Sequence, residues 1–128
     1  MFMKADLHIH STASDGGFDP EQVIMIAKSR GIDTIAISDH NSIDGLDKAF
    51  EAGQKHGISV IPAVELSTRF NDESIHILGY FKNDKFNSAA FKDILKQVKK
   101  HSLSKLRKAL GVYGKHPHSN KYLSCSEG

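Results

Sequence analysis

The chain has 128 residues, 39% of them hydrophobic and 25% charged, and a formal net charge of +2. That length allows at most one ordinary domain, and no apolar run approaches the ~20 residues of a membrane-spanning helix. The single cysteine, Cys125, excludes an internal disulfide framework and suits a reducing cytoplasm; the first residues lead straight into a strand pattern without a targeting signal.

A first strand is read over residues 4–10. A helix follows: Asp19 is its N-cap, Pro20 fits N1, and Gln22 completes a capping box. Val23, Ile26 and Ala27 mark its apolar face, Ile24 widens it, and Gly31 is the expected stop. The second strand, residues 33–38, is nearly all apolar, as in a parallel sheet buried on both faces, and it runs into Ser38-Asp39-His40-Asn41. A second helix is expected over 43–56, with Leu46, Ala49, Phe50 and Gly53 on one side and Gly57 closing it. The third strand, 59–65, carries Pro62, which suggests an edge, a bulge or irregular pairing. Residues 66–70 and 75–81 flank Asn71-Asp72-Glu73-Ser74 as a hairpin.

This β-α-β-α-β-β order predicts an α/β fold with parallel strands, a hairpin and, beyond Tyr80, a long helix capped by Asn87 or Ser88 and running to about Leu110. Phe91, Ile94, Leu95, Val98, Leu106 and Leu110 give that helix an apolar stripe. From 111 to 128 no periodicity remains, and an irregular or disordered tail is expected. Charge divides along the same line. Residues 1–81 hold 6 Lys/Arg against 12 Asp/Glu, a balance of −6; residues 82–128 hold 11 against 3, a balance of +8. The basic part reads either as a solvated helix face with a loose tail or as a surface for a polyanion.

The chemistry-bearing residues gather where strands end. His8 and His10 share one face of an extended strand, because strand side chains alternate. Asp15 follows in a glycine-rich turn that can bend its carboxylate back toward them. His40 and Glu65 fall at the ends of the next two strands, and His76 lies on the returning strand of the hairpin. In parallel sheets, sites form at the carboxyl ends of the strands. Singly, each has an ordinary reading as a turn or strand residue. As a set they offer only N and O donors, suited to Zn²⁺, Mn²⁺ or Fe²⁺, and are numerous enough for two or three ions. Such a site suits phosphoester hydrolysis. Asp39 is read either as orienting His40 or as capping the next helix, His56 as capping a helix dipole, and His101 as solvated. His116 and His118 are left to the tail.

The stretches Asp6-Leu7-His8-Ile9-His10-Ser11-Thr12 with Ser14-Asp15-Gly16, Ser38-Asp39-His40-Asn41, Val64-Glu65-Leu66-Ser67-Thr68 and Ile75-His76-Ile77-Leu78-Gly79-Tyr80 resemble the polymerase and histidinol phosphatase (PHP) family. The likeness is to its stand-alone phosphoesterase branch. The resemblance implies a distorted (β/α)₇, TIM-like barrel with a multinuclear metal site. In it His8 and His10 would hold one ion, Glu65 would bridge to another, Asp15 and His40 would hold a second, and His76 would join Glu65 on a third. Asp15, His40 and Glu65 would carry catalytic as well as metal-binding roles. The implied activity is hydrolysis of a phosphorylated small molecule, nucleotide or RNA 5′ end by metal-activated hydroxide, with no membrane partner. Residues 1–81 would be the N-terminal part of the barrel and 82–110 the start of a helical insertion. The family pattern continues with a further His or Cys and a late Asp-x-His pair, which residues after His76 do not supply. The chain is therefore expected to correspond to the N-terminal portion of such an enzyme, or else to a non-catalytic metal-binding or interaction module with an incomplete site.

Overall fold

The computed structural model describes residues 2–111. The expected tail beyond Gly111, with His116, His118 and Cys125, lies outside the described residues. Four strands, β1 (Ala5–Ile9), β2 (Thr34–Ile37), β3 (Ser59–Phe70) and β4 (Glu73–Tyr80), form one sheet in the order β1-β2-β3-β4. The β1–β2 and β2–β3 pairs are parallel and β3–β4 is antiparallel. The expected α/β class with parallel strands and a hairpin is found, as a mixed sheet curled enough for a side chain of β4 to reach the backbone of β1.

Helix α1 (Pro20–Ser29) begins as its sequence dictates. The Asp19 side chain accepts from the Gln22 amide at 3.0 Å and the Gln22 side chain accepts from the Asp19 amide at 3.0 Å. Gly31 supplies the left-handed turn after its C-terminus, with φ +68°. Helix α2 (Leu46–His56) starts three residues later than expected, because Ser42 to Gly45 form a turn in which the Ser42 hydroxyl bonds the Asp44 carboxylate at 2.9 Å. Val23, Ile24 and Ala27 of α1, with Leu46, Ala49 and Ala52 of α2, bury themselves against Ile35, Ile37 and Ile58. The centre of β2 is wholly buried, which accounts for its unbroken apolar run.

The third strand is longer than its sequence suggests. β3 runs 12 residues and changes partner midway: Ser59 to Pro62 pair with β2, and Ala63 to Phe70 pair with β4. Pro62 is the last residue in the parallel register, so the proline marks the handover between partners and not an edge. The hairpin turn is also tighter than expected. Phe70 pairs with Glu73, leaving Asn71 and Asp72 as a two-residue turn, both left-handed at φ +47° and +63°.

Beyond β4, a short 3₁₀ turn (Asp84–Asn87) drives Phe86 into the core, and Ser88 caps α3 (Ala89–Ala109) through the Phe91 amide. Phe50, Phe86, Phe81 and Phe91 form a chain of ring contacts with centroid separations of 5.8, 6.0 and 5.0 Å. Past that hinge α3 buries only Leu95, while Ile94, Leu106 and Leu110 of the expected stripe are exposed. Among the described residues no helix is long and apolar enough to cross a membrane.

Candidate metal centre

The structure brings all six sequence-predicted residues together at one rim of the sheet. Glu65 is the centre: only 5% exposed, it sits where the parallel half of the sheet ends, although β3 itself continues past it. Its Oε2 faces His10 Nε2 at 2.7 Å, His8 Nε2 at 2.9 Å and His40 Nε2 at 3.8 Å, and its Oε1 faces His76 Nδ1 at 3.0 Å. Asp15 closes the other side, with Oδ1 2.7 Å from His10 Nδ1 and Oδ2 3.6 Å from His40 Nε2.

Backbone pairing explains how the loop residue His40 arrives there. His40 and Glu65 form an isolated parallel bridge: the Glu65 amide donates to the Asp39 carbonyl at 3.1 Å, and the Asn41 amide donates to the Glu65 carbonyl at 2.9 Å. Asn41, left-handed at φ +51°, then turns the chain away, and its side chain accepts from the Ser67 amide at 3.0 Å. His76 reaches Glu65 because it pairs with Ser67 on β3, diagonal to Glu65 on the same face.

The electrostatics follow from a single buried carboxylate among imidazoles. Burial works against the charge of Glu65, but hydrogen bonds from His8 and His10 outweigh it and hold its pKa below the ordinary 4.5. Burial likewise disfavours a charged His10, yet Asp15 and Glu65 raise its pKa above the ordinary 6.5. The hydrogen bond from His10 holds Asp15 below 3.8.

The donors fall into three overlapping groups whose ligand atoms lie within 4.8 Å of one another: His8–His10–Glu65, His10–Asp15–His40 and His40–Glu65–His76. Ligand atoms around one small divalent cation stand roughly 3.0–3.5 Å apart, given bond lengths near 2.1 Å. The contacts here, 2.7–3.8 Å, bracket that spacing. Ring nitrogens of His8 and His10 lie 3.2 Å apart, within the spacing of two ligands on one cation. Donor chemistry and convergence therefore fit divalent cations.

Asp39 differs from its sequence reading. The Asp39 carboxylate neither orients His40 nor caps α2; it is spent on the loop that follows β1, accepting from the Ser11 amide and the Ser11 and Ser14 hydroxyls. Ser11 and Ser14 belong to the first family-like stretch but had no role assigned from sequence, and the parallel pairing of β1 and β2 places them beside Asp39. His56 ends α2, with Nε2 3.8 Å from Glu21 of α1. His101 is exposed, but it lines a groove of about 720 Å³ between α3 and the β3–β4 hairpin. Ser67, Arg69, Ser74, Gln97 and Lys105 also line it, and no carboxylate does among the described residues. Ser67 joins the groove to the metal centre, its Oγ standing 3.5 Å from His40 Nδ1.

A curled mixed sheet with a histidine–carboxylate cluster at its rim defines an α/β protein whose clustered donors suit divalent cations. The PHP domain profile matches residues 6–123, and the chain belongs to that family. It is 43% identical over 79 residues to the 5′-3′ exoribonuclease of Haemophilus influenzae, covering 62% of this chain and 29% of that protein. It is 38% identical over 74 residues to the 3′,5′-nucleoside bisphosphate phosphatase of Chromobacterium violaceum, covering 58% and 26%. An amidohydrolase structure from Chromobacterium violaceum, with bound sulfate and no metal, superposes with a TM-score of 0.73 at 31% identity, over 87% of this chain and 40% of that one. The chain thus spans under a third of the length of both curated relatives.

Proposed function

We propose that the chain is the N-terminal part of a metal-dependent phosphoesterase hydrolysing nucleotide phosphates or RNA 5′ ends in the cytoplasm. The observation that carries this reading is the buried Glu65 carboxylate facing four imidazoles at the rim of a parallel sheet. The names of the relatives, an exoribonuclease and a bisphosphate phosphatase, support the substrate class. In this reading the four strands open a distorted (β/α)₇ barrel, and residues 82–110 begin a helical insertion. His8, His10 and Glu65 would hold one ion, Asp15 with His10 and His40 a second, and His76 with Glu65 and His40 a third where three are bound; the ions would be Mn²⁺, Zn²⁺ or Fe²⁺.

When bound, divalent cations supply activation of water and neutralise charge on the phosphoryl oxygens. The chain's own part is placement and charge. Glu65, kept ionised by its histidines, is the negative pivot of the site, and its burial strengthens each interaction it makes. His8 and His76, about half exposed, border the open side from which a substrate enters. Arg69, His101 and Lys105 of the adjoining groove then meet the rest of a polyanionic substrate.

One observation favours a second reading, a non-catalytic metal-binding module: residues Ala5 to His8 of β1 are exposed along the strand, which leaves the site open on that side. The two readings separate in one experiment. The chain is stripped of metal, reloaded with Mn²⁺, Zn²⁺ or Fe²⁺, and assayed on bis(p-nitrophenyl) phosphate and a 5′-phosphorylated oligoribonucleotide. Cation-dependent turnover, lost together with cation binding in Glu65→Gln, is the expected result. Cation binding without turnover favours the module. Failure to bind any of the three cations overturns both.

A further inference from the structure

Of the six donors, Asp15 is the least supported. It neither lies in a strand, directly follows one, nor pairs with one, and its side chain is 66% exposed. Its carboxylate nevertheless stands 2.7 Å from His10 and 3.6 Å from His40. The loop that carries it must therefore be anchored through its other residues.

That anchor is Asp39, 2% exposed at the end of β2. Its Oδ1 accepts from the Ser11 amide at 2.7 Å and the Ser14 hydroxyl at 2.6 Å, and its Oδ2 accepts from the Ser11 hydroxyl at 2.7 Å. A buried carboxylate is costly unless its lone pairs are satisfied. Here all three donors come from the loop between β1 and α1, so satisfying Asp39 and folding that loop are one event. The Ser11 carbonyl then accepts from the amides of Ser14 and Gly16 at 3.0 and 2.9 Å, closing the loop on itself around Asp15.

The Ser14 hydroxyl decides which carboxylate it serves. It has one hydrogen and lies 2.6 Å from Asp39 but 3.3 Å from Asp15 Oδ1. The shorter, buried contact takes the proton. Ser14 is thereby tied down to Asp39, and Asp15 keeps its lone pairs for the centre, with His10 its near neighbour.

We propose that Asp39 is a positioning residue, whose carboxylate sets the place of Asp15 through Ser11 and Ser14 and so controls the His10–Asp15–His40 group without bonding any of its three side chains. The inference rests on the metal-centre reading above. It separates the three donor groups: Asp39 meets His40 and Glu65 only through its backbone, so His40–Glu65–His76, which contains no residue of the loop, is expected to be indifferent to the Asp39 carboxylate.

The test is a titration of the metal-free chain with Mn²⁺ or Zn²⁺ alone, by calorimetry and by metal content after dialysis, for wild type, Ser14→Ala, Ser14→Thr and Asp39→Asn. Wild type is expected to bind more than one equivalent. Ser14→Ala should weaken one binding step about tenfold, the scale of losses on removing supports of metal ligands, and leave the others within about twofold. Ser14→Thr, which restores a hydroxyl, should recover that step. Asp39→Asn, which keeps an acceptor for Ser14 and Ser11, should weaken the same step by less. Equal weakening of every step with lower thermal stability would mark a merely structural role and overturn the proposal, as would wild-type binding in a folded Ser14→Ala chain. A wild-type chain that binds no cation overturns the metal-centre reading and this inference with it.

Discussion

The Tyr80 hydroxyl donates to the Leu7 carbonyl at 2.7 Å, although the two residues are 73 apart in sequence and lie on the two outermost strands of the sheet. Only a curled sheet permits this. Tyr80 shares its face of β4 with Leu78 and His76, the face on which Glu65 also lies, so the bond starts from the face that carries the candidate metal centre. Tyr80→Phe removes the bond and nothing else of comparable size. Because the contact is exposed, water replaces part of it, and the expected loss is about 0.5–1 kcal/mol. Urea unfolding of the two proteins measures it, and an unchanged midpoint would show that the bond does not tie the strands.

Much of this arrangement was legible in the chain. The Asp19–Pro20–Gln22 start of α1 is a local hydrogen-bond pattern, and local patterns survive folding intact. The clustering of the six residues was legible because five lie in or just after a strand pattern, and Asp15 follows in a glycine-rich turn able to bend back to the same rim. What was hidden depends on contacts distant in sequence. Pro62 suggested an edge, a bulge or irregular pairing without deciding among them, because its role as the handover from β2 to β4 needs both partners in view. The service of Asp39 to Ser11 and Ser14 needs β1 laid parallel to β2. The stripe on α3 promised burial, yet Ile94, Leu106 and Leu110 remain exposed, since periodicity reports an apolar face and not what covers it.

The groove beside the centre makes a prediction about substrate size. Arg69, anchored by the Asp72 carbonyl at 2.6 Å, and Lys105 face it from opposite walls. Replacing both by alanine should weaken binding of a single-stranded oligonucleotide and flatten its dependence on the logarithm of salt concentration by about 0.7 for each phosphate no longer neutralised. A small ester that fits within the metal centre should bind as before. Equal effects on both ligands would place the two cations outside the substrate path.

Helix α3 is held against the Ser42–Asp44 turn by few contacts, and one of them is titratable. Lys99 Nζ lies 3.1 Å from Asp44 Oδ2 and 3.4 Å from the Ser42 hydroxyl. Lys99 first, and then Ser42, hold the Asp44 carboxyl below its ordinary 3.8. A depressed carboxyl pKa stabilises the folded arrangement fully above the unfolded value, and that contribution is lost as pH falls through the folded one. Docking of α3 should therefore be insensitive to pH above about 4 and weaken below it. The pair is largely exposed, so its worth is at most about 1 kcal/mol and falls with salt. Limited proteolysis within α3 across this range, for wild type and Asp44→Asn, gives the measurement. An Asp44→Asn chain with the same acid dependence as wild type would assign the change to another group.

Two adjacent glycines offer the sharpest contrast in the molecule. A Cβ on Gly16 would stand 2.3 Å from the His10 carbonyl oxygen and 2.7 Å from Ser11 Cα. Both obstacles are backbone and cannot rotate aside. A Cβ on Gly17 meets nothing within 4 Å. Gly16→Ala must push the loop off β1, and because Gly16 directly follows Asp15, the carboxylate moves away from His10 and His40 with it. The expected cost is about 1–3 kcal/mol of stability, typical of forced overpacking, together with loss of the cation-binding step that uses Asp15. Gly17→Ala should stay within about 0.5 kcal/mol and bind cations like wild type. Thermal unfolding and Mn²⁺ titration of the two variants side by side test the point. If they behave alike, the close approach of Gly16 to His10 is not what holds Asp15 in place.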